Sequence, residues 1–202
     1  MIATNKSSVL STTSQYELPF FDTAHADLAR GLADWAPQQQ VDESDDRRAC
    51  KDWVKRLGQG GWLRYCVPAA HGGALPQLDS RALVILRETL AFHSPLADFA
   101  FAMQGLGSGA ITLAGSPELQ ERYLPLVARG EKIAAFALSE PGAGSDVAAI
   151  TTIAVPAIFQ RATGQNGYEI SGTKSWISNG GIADFYVVFA KTQAKLGTRG
   201  IS

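Results

Sequence analysis

The stretch FALSEPGAGSD, Phe136 to Asp146, decides how this chain is read. A short apolar run enters a loop holding Pro141, two glycines at 142 and 144, and a closing Ser145-Asp146 pair. Glycines leave backbone N–H groups free to face a ligand and put no side chain in its path. Two familiar phosphate loops fail on the residues. A dinucleotide fingerprint starting at Gly142 and Gly144 needs a third glycine where Val147 stands, and a Walker A loop ends in Gly-Lys-Ser/Thr. The loop has the properties of a ligand-facing turn without the pattern of a nucleotide-phosphate cradle.

Around this loop the sequence is rich in β-formers. IAAFAL (133–138) is a short apolar run, ITTIAV (150–155) is β-branched, NGYEISGTKSWISNGG (166–181) alternates between turn dipeptides, and ADFYVVFAKT (183–192) is strongly β-rich. Nothing helical lies between these runs, which argues for antiparallel strands and against a doubly wound sheet. Ile201, in the closing TRGIS, reads as the start of another strand. About 70 residues is thin for a β-domain with its own core.

Upstream the chain reads helical. Ala24, Leu28, Leu32 and Trp35 make one stripe, ended by Pro37; Ala49, Trp53, Val54 and Leu57 make a second, ended by GQGG at 58–61. A third helix is predicted from about Asp79 to His93, with Leu83, Leu86 and Leu90 facing inward. Ser94-Pro95 and Ser116-Pro117 place two further N-caps with proline at the first helical position. Pro125 predicts a kink or break, and Gly130 a stop. The predicted organisation is a flexible tail over 1–18, an all-α domain over 19–132 and a β-domain over 133–202: an α+β fold whose antiparallel β-domain is incomplete.

Composition narrows function by exclusion. A formal charge of −1 offers no electrostatic capture of nucleic acid or an anionic membrane. Cys50 and Cys66 form no framework, which fits a reducing compartment, and His25, His71 and His93 lack metal-ligand spacing, so no metal is expected. No run approaches the length of a membrane span, and the first 20 residues lack the apolar core of a signal peptide. Those features lead us to expect a cytoplasmic protein.

Read together, Ser139-Glu140-Pro141-Gly142-Ala143-Gly144-Ser145-Asp146, Lys174-Ser175-Trp176-Ile177-Ser178-Asn179-Gly180 and Ala183-Asp184 resemble the acyl-CoA dehydrogenase family. VPAAHGG (67–73) and SPELQERYLP (116–125) resemble further landmarks of that family, and the helical-then-β order agrees. The resemblance covers nearly all of the chain beyond the tail. It implies an FAD-dependent oxidoreductase that converts an acyl-CoA thioester to its enoyl form in fatty acid metabolism. It also implies an electron-transfer flavoprotein as acceptor, and a homo-oligomer, dimer or tetramer.

The resemblance further implies that Phe136, Leu138, Ser139, Gly144, Ser145, Trp176, Ile177 and Ser178 contact the cofactor. Trp176 would pack beside the isoalloxazine ring, the Ser178 hydroxyl would sit near the reacting nitrogen, and Ser145 would also touch the thioester substrate. The physical case is separate: a reduced flavin gathers negative charge and needs positioned N–H and O–H donors against an apolar wall. Glu140 and Asp146 read better as braces of the turn than as catalytic acids. Met103 and Gln104 are candidate walls of the acyl site.

Ser139 and Ser178 stand where many members carry threonine, which keeps the hydroxyl, and Phe136 stands where some carry tyrosine. The family's catalytic base belongs to a third, helical domain that follows the β-domain. No residue here is assigned as catalytic, and the chain is expected to be inactive alone. Two other readings stay open: a flavin oxidase or monooxygenase on the same fold, and a non-catalytic half completing another chain's site.

Overall fold

The computed structural model describes residues 15–16, 18–160 and 165–202. They form two compact units that meet in sequence between Ile133 and Ala134.

The first unit holds five α-helices: α1 (Thr23–Trp35), α2 (Asp46–Gln59), α3 (Ser80–His93), α4 (Pro95–Ala114) and α5 (Pro117–Ala128). Each starts where a side chain accepts hydrogen bonds from the free N–H groups of the first turn. Asp22, Asp45, Asp79, Ser94 and Ser116 are those caps. Helix α4 lies among α2, α3 and α5, while α1 packs on α3. Leu32, Leu57, Ile85, Leu86, Leu90, Phe101, Leu124 and Val127 are fully buried between them. Leu83, expected inside, is only half-buried, and Ala82 and Ile85 take the inward positions beside it.

Two further expectations are corrected in this unit. Helix α5 runs through Pro125 without a break, because Leu124, Val127 and Ala128 around it are anchored in the core. Tyr16, inside the segment read as tail, is buried: its hydroxyl reaches Glu88 at 3.5 Å and its ring stands edge-on to Phe21. Residues 1–14 and Glu17 of that segment lie outside the described residues.

Close backbone approach explains one glycine pair. A Cβ on Gly58 would fall 2.2 Å from the Arg129 carbonyl oxygen, and Gly130, at φ 68°, lies against the Val54 carbonyl. The end of α2 and the end of α5 therefore touch main chain to main chain. Both cysteines are buried and outside any disulfide; burial pushes Cys50 up to about 11 and Cys66 up to about 12, so neither is a ready nucleophile.

The second unit holds β1 (Ala134–Ala137), β2 (Ile153–Gln160), β3 (Gln165–Ser171) and β4 (Phe185–Val188). Strands β2 and β3 form an antiparallel hairpin in the register Ile153↔Ser171 to Gln160↔Gln165, with a bulge between Ile158 and Gln160. Residues 161–164, between β2 and β3, lie outside the described residues. Strands β1 and β4 pair in parallel, Ala134↔Phe185 through Ala137↔Val188. Antiparallel pairing was expected throughout. A parallel pair needs a long crossover, and here residues 138–184, hairpin included, provide it without an α-helix among the described residues. Ile201 makes an isolated antiparallel bridge with Lys191, and Ser202 exchanges backbone hydrogen bonds with Ala190 at 2.9 and 3.0 Å. Among the described residues no helix is long and apolar enough to cross a membrane.

Candidate functional site

The loop after β1 is a tight, self-closed turn. Glu140 N–H donates to the Ala143 carbonyl at 2.9 Å and Ala143 N–H donates back to Glu140 at 3.1 Å, with Pro141-Gly142 at the corner. Gly142 and Gly144 are exposed, and a Cβ on either would meet nothing within 4 Å. Neither has a positive φ. The fold as described does not require glycine at these two places, so their bare backbone is available to an outside group. Ser145 is exposed beside them, and Asp146 caps the following one-turn 3-10 helix by accepting from Ala148 N–H at 3.1 Å.

The second motif reaches the same place from another direction. Ser175 N–H donates to the Ser139 carbonyl at 2.9 Å, joining the two motifs by main chain. Trp176 follows in an isolated left-handed conformation, φ 59°, with its ring 94% exposed. A bulky residue held in that region costs on the order of 1–3 kcal/mol and persists only where its surroundings impose it. The sequence placed Trp176 in an alternating strand; the structure puts it in a turn outside any strand. Ile177 and Ser178 behind it are half-buried. Asn179, also left-handed at φ 62°, anchors the turn by donating from its amide to the Ala134 carbonyl on β1 at 3.1 Å.

Phe136 on β1 packs its ring 4.9 Å from that of Phe189, just past β4. Leu138 is half-buried and offers its carbonyl to Lys174 Nζ at 2.9 Å. Phe136, Leu138, Ser139, Gly144, Ser145, Trp176, Ile177 and Ser178 thus all belong to the second unit. They sit on two segments that β1, the Ser139–Ser175 bond and Asn179 tie together.

Beneath them lies a buried polar cluster that the sequence only half announced. Glu140 accepts from Thr151 N–H at 2.6 Å and Thr151 Oγ1 at 2.8 Å, from Thr152 N–H at 3.0 Å and Thr152 Oγ1 at 2.5 Å, and from Lys174 Nζ at 2.9 Å. The side chains of Lys174 and Glu140 are 12% and 3% exposed. Burial pushes the Glu140 carboxyl up, but the hydrogen bonds from Thr152, Thr151 and Lys174 together outweigh it and hold the group well below the ordinary carboxylate range. Five donors on two oxygens leave no acceptor capacity for a substrate proton. Glu140 is a brace, as its loop position suggested. The sequence does not announce its partners: ITTIAV signals only β-branching, and Lys174 only a place in the second motif.

In the first unit the candidate acyl-wall residue Gln104 is fully buried, and its amide donates to the Lys132 carbonyl at 2.7 Å. A mostly apolar cavity of about 510 Å³ lies to one side of α4, lined by Val67, Pro68, Leu78, Gly105, Gly109 and Leu113 among others. Neither Met103 nor Gln104 lines it.

Comparison with known proteins identifies both units. The profile described as "Acyl-CoA dehydrogenase, N-terminal domain" matches residues 22–131, and "Acyl-CoA dehydrogenase, middle domain" matches 135–202. The chain belongs to the acyl-CoA dehydrogenase family. It is 37% identical over 177 residues to a 3-(aryl)acrylate reductase of Clostridium sporogenes, covering 87% of this chain and 45% of the reductase. It is 38% identical over 146 residues to the very long-chain specific acyl-CoA dehydrogenase, mitochondrial, of Rattus norvegicus, covering 72% of this chain and 21% of that protein. An acyl-CoA dehydrogenase of Bacillus anthracis solved in complex with FAD superposes with a TM-score of 0.71 at 33% identity, over 85% of this chain and 29% of that one. The chain therefore spans less than half the length of these relatives.

Proposed function

We propose that the second unit carries one face of an FAD site, and that the protein oxidises an acyl-CoA thioester to the enoyl-CoA with this cofactor. One observation carries the reading: an exposed Trp176, fixed in a strained turn, hydrogen-bonded through its neighbour Ser175 to the glycine-rich loop at Ser139. An exposed indole on the same two joined segments as two hydroxyls and two bare glycines is a surface built for a flat, polar-edged ring.

The division of labour follows from side-chain chemistry. Trp176 and Phe136 supply apolar area, and Ile177 fixes the turn behind the indole. Ser139 and Ser178 supply O–H donors, and the backbone of Gly142, Gly144 and Ser145 supplies N–H donors to negative charge, since Glu140 and Ala143 N–H close the turn itself. Gly144 lets that backbone approach closely, and Ser145 reaches toward the thioester. FAD, when bound, supplies the two-electron acceptor that no side chain here can be. The chain's own residues hold and orient it and keep water from its face.

Removal of the α-proton requires a base within hydrogen-bond reach. Glu140 is saturated and Asp146 is engaged as a cap, so neither of the loop carboxylates is assigned that role. The name of the Clostridium relative describes reduction of an acrylate double bond, the reverse of the oxidation proposed here, at the same kind of bond. Onward transfer to an electron-transfer flavoprotein, and assembly as a homodimer or tetramer, belong to the same proposal.

The test is an absorption spectrum of the purified chain after incubation with FAD and removal of free ligand. Retained flavin bands with quenched tryptophan emission support the reading. Colourless protein sinks it. Rapid reoxidation of the bound, reduced flavin by air would replace the dehydrogenase reading with an oxidase or monooxygenase.

A further inference from the structure

We propose that Glu140 and Lys174 form a positioning clasp that sets the relative placement of the glycine loop and the Trp176 turn, and through it flavin affinity. The inference rests on the flavin reading above.

The segment between β3 and β4 has no ladder to hold it: residues 172–184 are loop and turn. Trp176 nevertheless keeps a conformation that L-residues avoid. Something must impose it from each side. On the C-terminal side the anchor is Asn179, bonded to Ala134 on β1, with Gly180 N–H donating to Ile177 at 3.0 Å. On the N-terminal side it is Lys174, whose ammonium reaches the Leu138 carbonyl and the Glu140 carboxylate, both at 2.9 Å. The Ser175–Ser139 main-chain bond lies between these two contacts. Leu138, Ser139 and Glu140 are consecutive, so the Lys174–Ser175 dipeptide is stitched to one tripeptide at three points.

Glu140 is in turn fixed from below by both hydroxyls and both N–H groups of Thr151 and Thr152. The clasp therefore refers the loop and the Trp176 turn to the start of β2 as a common base. Burial of an ion pair is a poor source of net stability, since desolvation opposes the Coulomb gain. What such a pair delivers well is a fixed direction, because each partner is costly to leave unpaired. Here the direction is that of the two segments proposed to face the cofactor.

The experiment compares Lys174→Met, Glu140→Gln and Lys174→Arg in the full chain. Two quantities are read: the FAD dissociation constant, and hydrogen exchange at the Ser175 amide in the ligand-free chain. Urea midpoints for each variant separate local effects from global loss of folding. Lys174→Met and Glu140→Gln should each weaken FAD about tenfold and speed Ser175 exchange by a similar factor, and their effects should not add. Lys174→Arg, which keeps the charge and two donors, should restore most of both. FAD affinity and Ser175 protection that stay at wild-type values in Lys174→Met overturn the clasp. So does a fall in urea midpoint alone, with both local quantities unchanged. Should Lys174→Met fail to fold, Lys174→Gln and Glu140→Gln carry the same comparison. If the wild-type chain holds no FAD, the flavin reading falls; Ser175 exchange still shows whether the pair positions the turn.

Discussion

A side chain on Gly172 would have to occupy the space of the Thr152 hydroxyl: its Cβ would fall 2.3 Å from Thr152 Oγ1. That hydroxyl is one of the donors that keep Glu140 charged and in place. Gly172→Ala should destabilise the second unit by about 1–3 kcal/mol through overpacking, measured as a lower urea midpoint. It should also weaken FAD binding, because the displaced threonine loosens the brace. Gly172→Ala with wild-type stability would mean that β3 can shift to make room.

Gly142 and Gly144 should behave in the opposite way. A methyl group at either meets nothing, so Gly142→Ala and Gly144→Ala should leave stability within about 0.5 kcal/mol of the parent. Their effect should appear only as weaker flavin binding in a titration. Alanine at both positions with unchanged affinity would show that no ligand approaches this backbone.

Trp176→Gly sets stability against function. The indole is 94% exposed, so little packing is lost, while glycine accepts the left-handed backbone without strain. Thermal unfolding should show a rise in stability of about 1 kcal/mol, together with loss of flavin retention. Greater stability with lost binding would mark Trp176 as a residue kept for its ligand.

Acid should act on the second unit through Glu140. The folded carboxyl titrates below its unfolded value, so the stability it contributes is fully present above about pH 5 and is lost as pH falls through the folded-state value. Unfolding midpoints measured from about pH 6 down to pH 2 should fall less steeply in Glu140→Gln than in the parent. Matching slopes would mean that other carboxylates dominate the acid response.

In the first unit, Gly58→Ala would drive a methyl into the Arg129 carbonyl at 2.2 Å, where only backbone can yield. A loss of about 1–3 kcal/mol is expected, with no direct effect on residues 134–202. Circular dichroism during urea unfolding, followed at helical wavelengths, measures it.

The helical half was legible because its signals are local. Asp79, Ser94-Pro95 and Ser116-Pro117 announce helix starts within a few residues of where they act, and the structure starts helices there. Pro125 misled for the complementary reason: a local breaker was overridden by tertiary burial of Leu124 and Val127. The β half is governed by long-range pairing. Nothing in Ala134–Ala137 announces a parallel partner at Phe185–Val188, and period-two alternation around Trp176 belongs equally to a strand and to a turn. Both motifs were readable as strings, and Glu140 as a brace. That Lys174 and the Thr151-Thr152 pair converge on it requires the fold, since any hydroxyl or ammonium in the chain could have filled those places.

The parallel pairing of β1 with β4 also fixes an order of events during synthesis. Strand β1 leaves the ribosome with no partner, and residues 138–184 must follow before Phe185–Val188 can close the ladder. At a translation rate of roughly 5–20 residues per second, that interval lasts roughly 2–10 s. The five helices, all of which precede β1 in the chain, can settle in that time, whereas the nascent β1 edge stays open to other chains. The Trp176 turn and the loop it is bonded to can reach their final arrangement only when that ladder closes, so these two segments mature later than the helical unit.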